Sequence, residues 1–560
     1  MLLSRLSRLL LSALALCALL ATSASASSSR DARFDATASA YRAGKVPIPV
    51  SDPAPPRGAK VLKYTFGPMK ILPGQNTINI DIQKNRPDVN GWIVGFRPGL
   101  VYKNGKSPSV QIVHLHHAVW LVGDSFGDLK PTFAAGEEKT YLSAPKGFGW
   151  RYTTDQVWLI NHMVHDLTAQ PQTVYITYTL YFIPDTAPQA ATITPVHTQW
   201  LDVEGGKPYP VFNALRRSGT KGRFTFPNQA PRAYAADGVQ RNRWVADHDG
   251  TMVSTAGHLH PGGLWTDLKI TRDGVTKRIF RSRADYFEPV GPVSWDVAMS
   301  ATAPDWRVNF KKGDVITTSA TYDTTRASWY EVMGIMVVAV TDQPVPGGVD
   351  PFTGGRTIDQ TDHLTHGRLK ENIDVGAGDP NPGLRNPIRL RSGPYKDKIV
   401  VKNFVYSQGD LSSPGKAGLP PRVRQGHSLT FVNQDAPLTA RFHTITACKA
   451  PCNRIGGIGY PLAGGPGGFD SGELGYGPSI ASSLYGGAAG GQSTIPLTAA
   501  IDTPTAKENC DTVPGLAKAI SAGCIGTTIY KTPKNLSPGT YSYFCRVHPF
   551  MRGAFRVVKQ

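Results

Sequence analysis

Short runs of β-branched and aromatic residues, cut repeatedly by glycine and proline, constrain this chain more than any other feature. QIVHLHHAVWLV at 111–122 and TVYITYTLYFIP at 173–184 are examples, followed by YEVMGIMVVAV at 330–340 and KIVVKNFVYS at 398–407. A strand sends successive side chains to opposite faces, and branched or aromatic side chains pack well on its pleated surface. The chain has 58 glycines and 45 prolines, and long helical periods are absent. That combination predicts an all-β fold. Its 560 residues accommodate about three domains. The expected division is a β-sandwich over 60–190, a second over 191–340 and a third β domain over 398–560. The stretch 341–397, rich in Gly, Pro and Asp, reads as a linker, and the glycine-rich 456–491 as a long loop within the last domain.

The first residues have the form of a secretory signal. Arg5 and Arg8 precede an apolar run over 9–21, too short to span a bilayer, and Ala24-Ser25-Ala26 is an A-x-A cleavage pattern. A mature chain starting near Ser27 is expected, with a polar, mobile leader to 59. Cys17 follows Leu16, where a lipoprotein signal needs a small residue. No second apolar run reaches the ~18 residues of a membrane span, so a secreted, periplasmic or cell-envelope location is expected. The formal net charge of +19 is dispersed along the chain. It suits anionic wall polymers or an acidic redox partner; no basic-aromatic module points to nucleic acid.

Apart from Cys17, the cysteines all follow residue 440: Cys448, Cys452, Cys510, Cys524 and Cys545. An exported chain permits disulfides. Four of the five can pair in three ways, and the odd thiol is read as Cys545 for a chemical reason. The chain ends GTYSYFCRVHPFMRGAFRVVKQ, which spaces Cys545, His548 and Met551 as C-x2-H-x2-M. A thiolate, an imidazole and a thioether on one short loop can converge on one ion. A second imidazole would complete the His2Cys set with a weak axial Met that suits copper. His443, in FVNQDAPLTARFHTIT, is the candidate.

This tail resembles the cupredoxins, most closely the amicyanin type, where C-x-x-H-P-F-M-R-G closes the same loop. The resemblance implies a Greek-key sandwich with His443 and His548 as nitrogen ligands, Cys545 as thiolate and Met551 as axial ligand, in a type 1 (blue) copper site for electron transfer. Thr444 departs from the Asn often found after the first His. The insertion between His443 and Cys545 is long, and two disulfides among the remaining cysteines are inferred to staple it. Phe544 and Arg546 flank Cys545, where multicopper oxidases resemble H-C-H and copper nitrite reductases have one such His. The domain is therefore expected to shuttle electrons.

Half of the fourteen histidines fall in three clusters: His114, His116 and His117 in HLHH, His162 and His165 in NHMVH, His258 and His260 in HLH. His258 and His260 share a face of a strand and can form a bidentate pair. His116 and His117 need a bulge or a strand end to ligate together. The order of these motifs resembles the peptidylglycine and dopamine β-monooxygenase family, with two tandem jelly-roll-like sandwiches and a type 2 copper in each. The resemblance covers about 60–340. It implies His116, His117 and His165, or alternatively His162, at the first copper, and His258, His260 and Met333 at the second, catalytic one. Ala256, Ile335 and Val337 stand where the peptide hydroxylase has its carboxylate-binding arginine and two further polar residues, so peptidylglycine is not the expected substrate. Two readings remain open. In one, the chain is a copper-dependent monooxygenase taking electrons from an external donor, with O2 and a small organic substrate. In the other, it is a non-catalytic copper-binding electron carrier of the cell envelope. Zinc suits the all-histidine sites as well.

Overall fold

The structure, a computed structural model, describes residues 54–559 apart from 74, 76, 111, 137–138, 205–209, 216, 230–241, 288–295, 326–328, 354–360, 372–384, 413–414, 436–442, 449, 451–468, 472–473, 475–478, 483–492 and 497–527. The signal and leader expectations, and Cys452, Cys510 and Cys524, lie outside the described residues. The described chain is all-β: strands form every extended element, and the helices are short 3-10 turns such as Pro188–Thr192. Among the described residues, no helix is long and apolar enough to cross a membrane.

Period-two patterning builds the first sandwich. In the strand Gln172–Pro184, Val174, Ile176, Tyr178, Leu180 and Phe182 all point inward at 0% exposure; the residues between them take the other face, where Tyr175, Thr177 and Thr179 are partly exposed and Tyr181 packs into a smaller apolar cluster with Tyr141. Each such apolar side chain contributes about 1.5–3 kcal/mol by leaving water. This strand pairs antiparallel with Lys60–Ile71 and with Gly91–Val101. The opposing sheet runs Thr77–Ile82, Val157–Asp166, Val113–Gly123 and Lys130–Ala135. Between the two sheets, Phe96 stacks on Phe133 at 4.5 Å and meets Trp120 edge-on at 4.7 Å.

A second sandwich follows. Gly250–Leu259 pairs with Gly334–Thr341, and the strands Gly263–Arg272, Val275–Tyr286 and Val315–Asp323 form the facing layer. Leu268, Ile270, Phe280, Ile316 and Met336 fill the core between them. The two sandwiches share one connected sheet. Thr194–Asp202 is parallel to Phe148–Tyr152 of the first and antiparallel to Gly334–Thr341 of the second.

Two four-stranded sheets make the C-terminal unit. One has Val405–Tyr406, Lys398–Lys402, Thr430–Asn433 and Ile529–Lys531; the other has Arg422–Arg424, Arg552–Val558, Gly539–Phe544 and Thr446–Cys448. Phe431, Tyr406, Tyr543 and Phe555 pack between them.

Two stretches differ from expectation. The glycine-rich 456–491 is not simply a loop: Ser479–Ser482 pairs parallel with Thr77–Ile82 of the first sandwich and antiparallel with Ser493–Pro496. This strand is poor in branched and aromatic residues, and its pairing partner lies about 400 residues upstream, so local sequence carried no sign of it. The stretch 341–397 also carries structure, since Thr361–Leu364 pairs with Val297–Thr302.

Candidate metal centres

The C-terminal loop from Cys545 to Met551 joins the antiparallel strands Gly539–Phe544 and Arg552–Val558. Two backbone bonds close it: the Cys545 N–H donates to the Met551 carbonyl at 3.1 Å, and the Met551 N–H to the His548 carbonyl at 2.8 Å. His443 is brought over this loop by a two-way backbone bridge with Leu474. The result is a dry site, with His443, Cys545 and Met551 at 0% exposure and His548 at 1%.

The donors converge. The Nδ1 atoms of His443 and His548 are 3.0 Å apart, and the Cys545 sulfur lies 3.8 and 3.5 Å from them. Cys545 is a free thiol, as the spacing argument required. Cys448 is disulfide-bonded, and the pairing lies outside the described residues. The backbone N–H of Thr444 donates to the sulfur at 3.3 Å, and the Thr444 hydroxyl accepts the N–H of Arg546 at 2.9 Å. Thr444 thus supports the loop through its hydroxyl and the sulfur through its backbone. Asp435 accepts from His443 Nε2 at 3.0 Å, which leaves the Nδ1 lone pair turned to the centre. Burial raises the Asp435 carboxyl, but His443 and the N–H groups of Asn403 and Phe404 outweigh it and hold the group down at about 2. Burial likewise opposes ionisation of Cys545, but the two imidazoles pull its thiol well below the usual range. A soft thiolate, two imidazoles and a buried thioether residue on the same loop fit copper by donor chemistry.

The N-terminal histidines also come together, with a different partition from the expected one. A register shift between Leu115 and His117 marks a bulge in the strand Val113–Gly123. Leu115 and Ala118 both face the core, so His116 and His117 are both turned to the other side. The adjacent pair nonetheless separates. His116 joins His114 and His165: all three are buried, and their donor nitrogens lie within 4.8 Å of one another. His165 Nδ1 is 3.0 Å from His114 Nε2. His114, which the family resemblance left out of the ligand set, is therefore part of the cluster. His117 stands aside, with Nε2 on the Asn161 amide oxygen at 3.0 Å. Of the alternatives, His165 reaches the cluster, while His162 is held by Asp81 at 3.0 Å. Burial, aided by the charge of Lys139, pushes His114 down to about 3. Burial, then the neighbouring His114 and His548, push His165 well below its ordinary value.

His258 and His260 end the strand Gly250–Leu259 and its turn, with ring centroids 5.3 Å apart. The His260 ring lies 5.2 Å from His116, so the two expected sites meet across the sandwiches. His260 Nδ1 donates to the Glu331 carbonyl at 2.7 Å. Glu331 has φ +50°, a left-handed backbone that costs about 1–2 kcal/mol in a non-glycine residue and aims that carbonyl. The Tyr322 hydroxyl accepts the His260 N–H at 3.1 Å and donates to the Met333 carbonyl at 2.5 Å, tying the two motifs together. Beneath His258, a Cβ on Gly257 would sit 2.1 Å from the Thr266 hydroxyl, so only glycine allows the sheets this close. His117, His258 and Met333 share the wall of a cavity of about 370 Å³ with Val119, Leu121 and Ile335.

No protein-family model matches the chain, and no curated protein matches it. Among solved structures, similarity is reported to the Cu-containing nitrite reductase (NirK) of Thermus scotoductus SA-01. The identity is 11%, 55% of each chain is covered, and the TM-score is 0.14. The infectious bursal disease virus VP2 subviral particle follows at 9% identity, 52% of this chain, 74% of that chain and TM-score 0.16. Oxalate decarboxylase from Bacillus subtilis has 7% identity, 51% and 70% coverage and TM-score 0.11. This chain therefore spans about 55% of the nitrite reductase. At these scores, none of the three carries an argument about function.

Sequence reasoning passed over several residues of these centres: His114 in the cluster, Asn161 on His117, Asp202 on the cavity wall and Asp435 on His443. His114 had a signal, because it stands two residues before His116 and alternation puts both on one face. Asp435 stands eight residues before His443 and had none beyond the NQD turn. Asn161 and Asp202 are set by packing between strands distant in sequence.

Proposed function

We propose that the chain is an exported copper redox protein in which the Cys545 site accepts an electron from an external donor and serves a histidine-lined oxidation site. There a small apolar organic molecule in the cavity is hydroxylated with O2: C–H, O2, two electrons and two protons give C–OH and water. The observation that carries this reading is the convergence of His443 Nδ1, His548 Nδ1 and the Cys545 thiol in a dry pocket whose far imidazole nitrogen is fixed by Asp435. Copper bound at these positions supplies a one-electron couple at the thiolate site and the activation of dioxygen at the imidazoles.

The protein's own groups do the rest. Burial keeps water from Cys545. Asp435 and the Thr444 N–H hold the donor atoms in one arrangement for both oxidation states. The His548 charge is among the influences that lower His165, which supports a reading in which the two groups act together. The walls formed by Val119, Leu121, Ile335 and Val337 suit an apolar substrate, and the cavity size suits a small one.

Metal analysis and spectra of the purified protein test the scheme. Three coppers, one of them intensely coloured through the thiolate, are expected. His258→Ala should keep the colour and lose reductant-dependent oxygen consumption. If wild type and this variant are equally inert across a broad panel of reductants and C–H donors, the oxygenase part falls and an electron carrier remains. A colourless copper-loaded protein would remove the Cys545 claim.

A further inference from the structure

We infer that His114, His116 and His165 form a three-imidazole metal site, and that the neighbouring His117 belongs to a different centre on the cavity wall with His258 and Met333. Two adjacent histidines on one side of Val113–Gly123 thus serve two sites joined by a single peptide link. For the identity of the metal this rests on the copper reading above; the site itself stands on geometry alone.

Three observations carry it. His114 Nε2 and His165 Nδ1 are 3.0 Å apart, about the separation of two nitrogens bound at roughly 2.0–2.1 Å to one ion at a right angle. The His116 ring completes the group, with its centroid 4.8 Å from that of His165 and 6.2 Å from that of His114. All three side chains are at most 4% exposed, and their donor atoms lie within 4.8 Å of one another. His117, in contrast, makes a 3.0 Å bond to Asn161 through Nε2, and its buried Nδ1 has no hydrogen-bond partner among the described residues. It borders the cavity, as do His258 and Met333, whereas His114, His116 and His165 do not. A pair acting together on one ion would not be divided in this way. The His260 ring, 5.2 Å from His116 and 5.3 Å from His258, stands between the two groups.

The experiment uses the full chain stripped of metal and titrated with zinc ion alone, in a Cys545→Ser background that silences the C-terminal site. Bound zinc is counted, and the rise in melting temperature is recorded. His114→Ala should lose one equivalent of tight zinc, and His117→Ala should keep that equivalent. X-ray absorption of the zinc-saturated His117→Ala protein, which does not depend on His114→Ala folding, should show at least three imidazoles on the retained ion. Loss of the tight equivalent in His117→Ala with full retention in His114→Ala would overturn the assignment, as would fewer than three imidazoles on the retained ion. A colourless copper-loaded wild type alongside the expected zinc pattern would sink the copper reading while leaving this site intact.

Discussion

Asp435 touches no candidate metal position and still decides which nitrogen of His443 faces the thiol. Its carboxylate accepts a hydrogen bond from Nε2–H at 3.0 Å and itself accepts from the N–H groups of Asn403 and Phe404. Removing such a partner from a ligating histidine commonly lowers metal affinity by about 10–100-fold. Asp435→Ala should therefore weaken copper at the Cys545 site by about that factor. The thiolate colour should remain at saturating copper, because the sulfur, both Nδ1 donors and Met551 stay in place. A competitive titration with a chelator measures it, and unchanged affinity would show that the loop alone sets the tautomer. At this scale the C-terminal site was legible in sequence, since three of its residues sit on one seven-residue loop whose spacing is itself the chemistry. The histidine cluster was legible only in part. Its members come from two strands about 50 residues apart in sequence, and the adjacent pair His116–His117 suggested a joint ligand where alternation instead stands His114 with His116.

At the scale of elements, alternation identified the long strands well, because a buried face must repeat every second residue. Thr194–Asp202 was less visible. It is only partly apolar, and it is placed by pairing with strands of both sandwiches. Its final residues, Trp200 and Asp202, reach the cavity wall. Burial, with the nearby Glu204 carboxylate adding to it, lifts the Asp202 carboxyl to about 7 even though the Glu204 N–H bonds it at 2.9 Å. The folded pKa lies above the unfolded value. The protonated group is therefore fully compatible with the fold below about pH 4, and stability is lost as pH rises through about 7. A shift of roughly three pK units corresponds to about 4 kcal/mol at most. In the metal-free protein, the buried histidines with lowered pKa gain stability over the same range in wild type and variant alike, so the Asp202 contribution is read as a difference: Asp202→Asn should gain on wild type between pH 5 and pH 8. Urea unfolding of both proteins at the two pH values measures it; a parallel pH dependence would show that Asp202 is more solvated than its position implies.

At the scale of the molecule, the glycine-rich insertion of the C-terminal unit becomes a joining device. Ser479–Ser482 has the first sandwich on one edge, through Thr77–Ile82, and Ser493–Pro496 on the other. Thr77–Ile82 in turn pairs with Val157–Asp166, the strand that carries His165. The unit that bears Cys545 is thus hydrogen-bonded to the sheet that bears the histidine cluster, a link that would restrain the distance between the two groups. A strand with partners on both edges has no position where a missing N–H goes unfelt, so proline there breaks the ladder. Ile480→Pro should leave the thiolate colour and its copper affinity unchanged, because the loop 545–551 and its strands are untouched. It should slow the passage of an electron from the Cys545 site to the histidine-bound copper, because the separation is then no longer held. Rapid photoreduction, followed by decay of the reduced thiolate site in copper-loaded protein, measures that step directly. An unchanged decay would mean that side-chain contacts near His548 and His165 suffice to hold the centres together, and that the inserted strand serves stability alone.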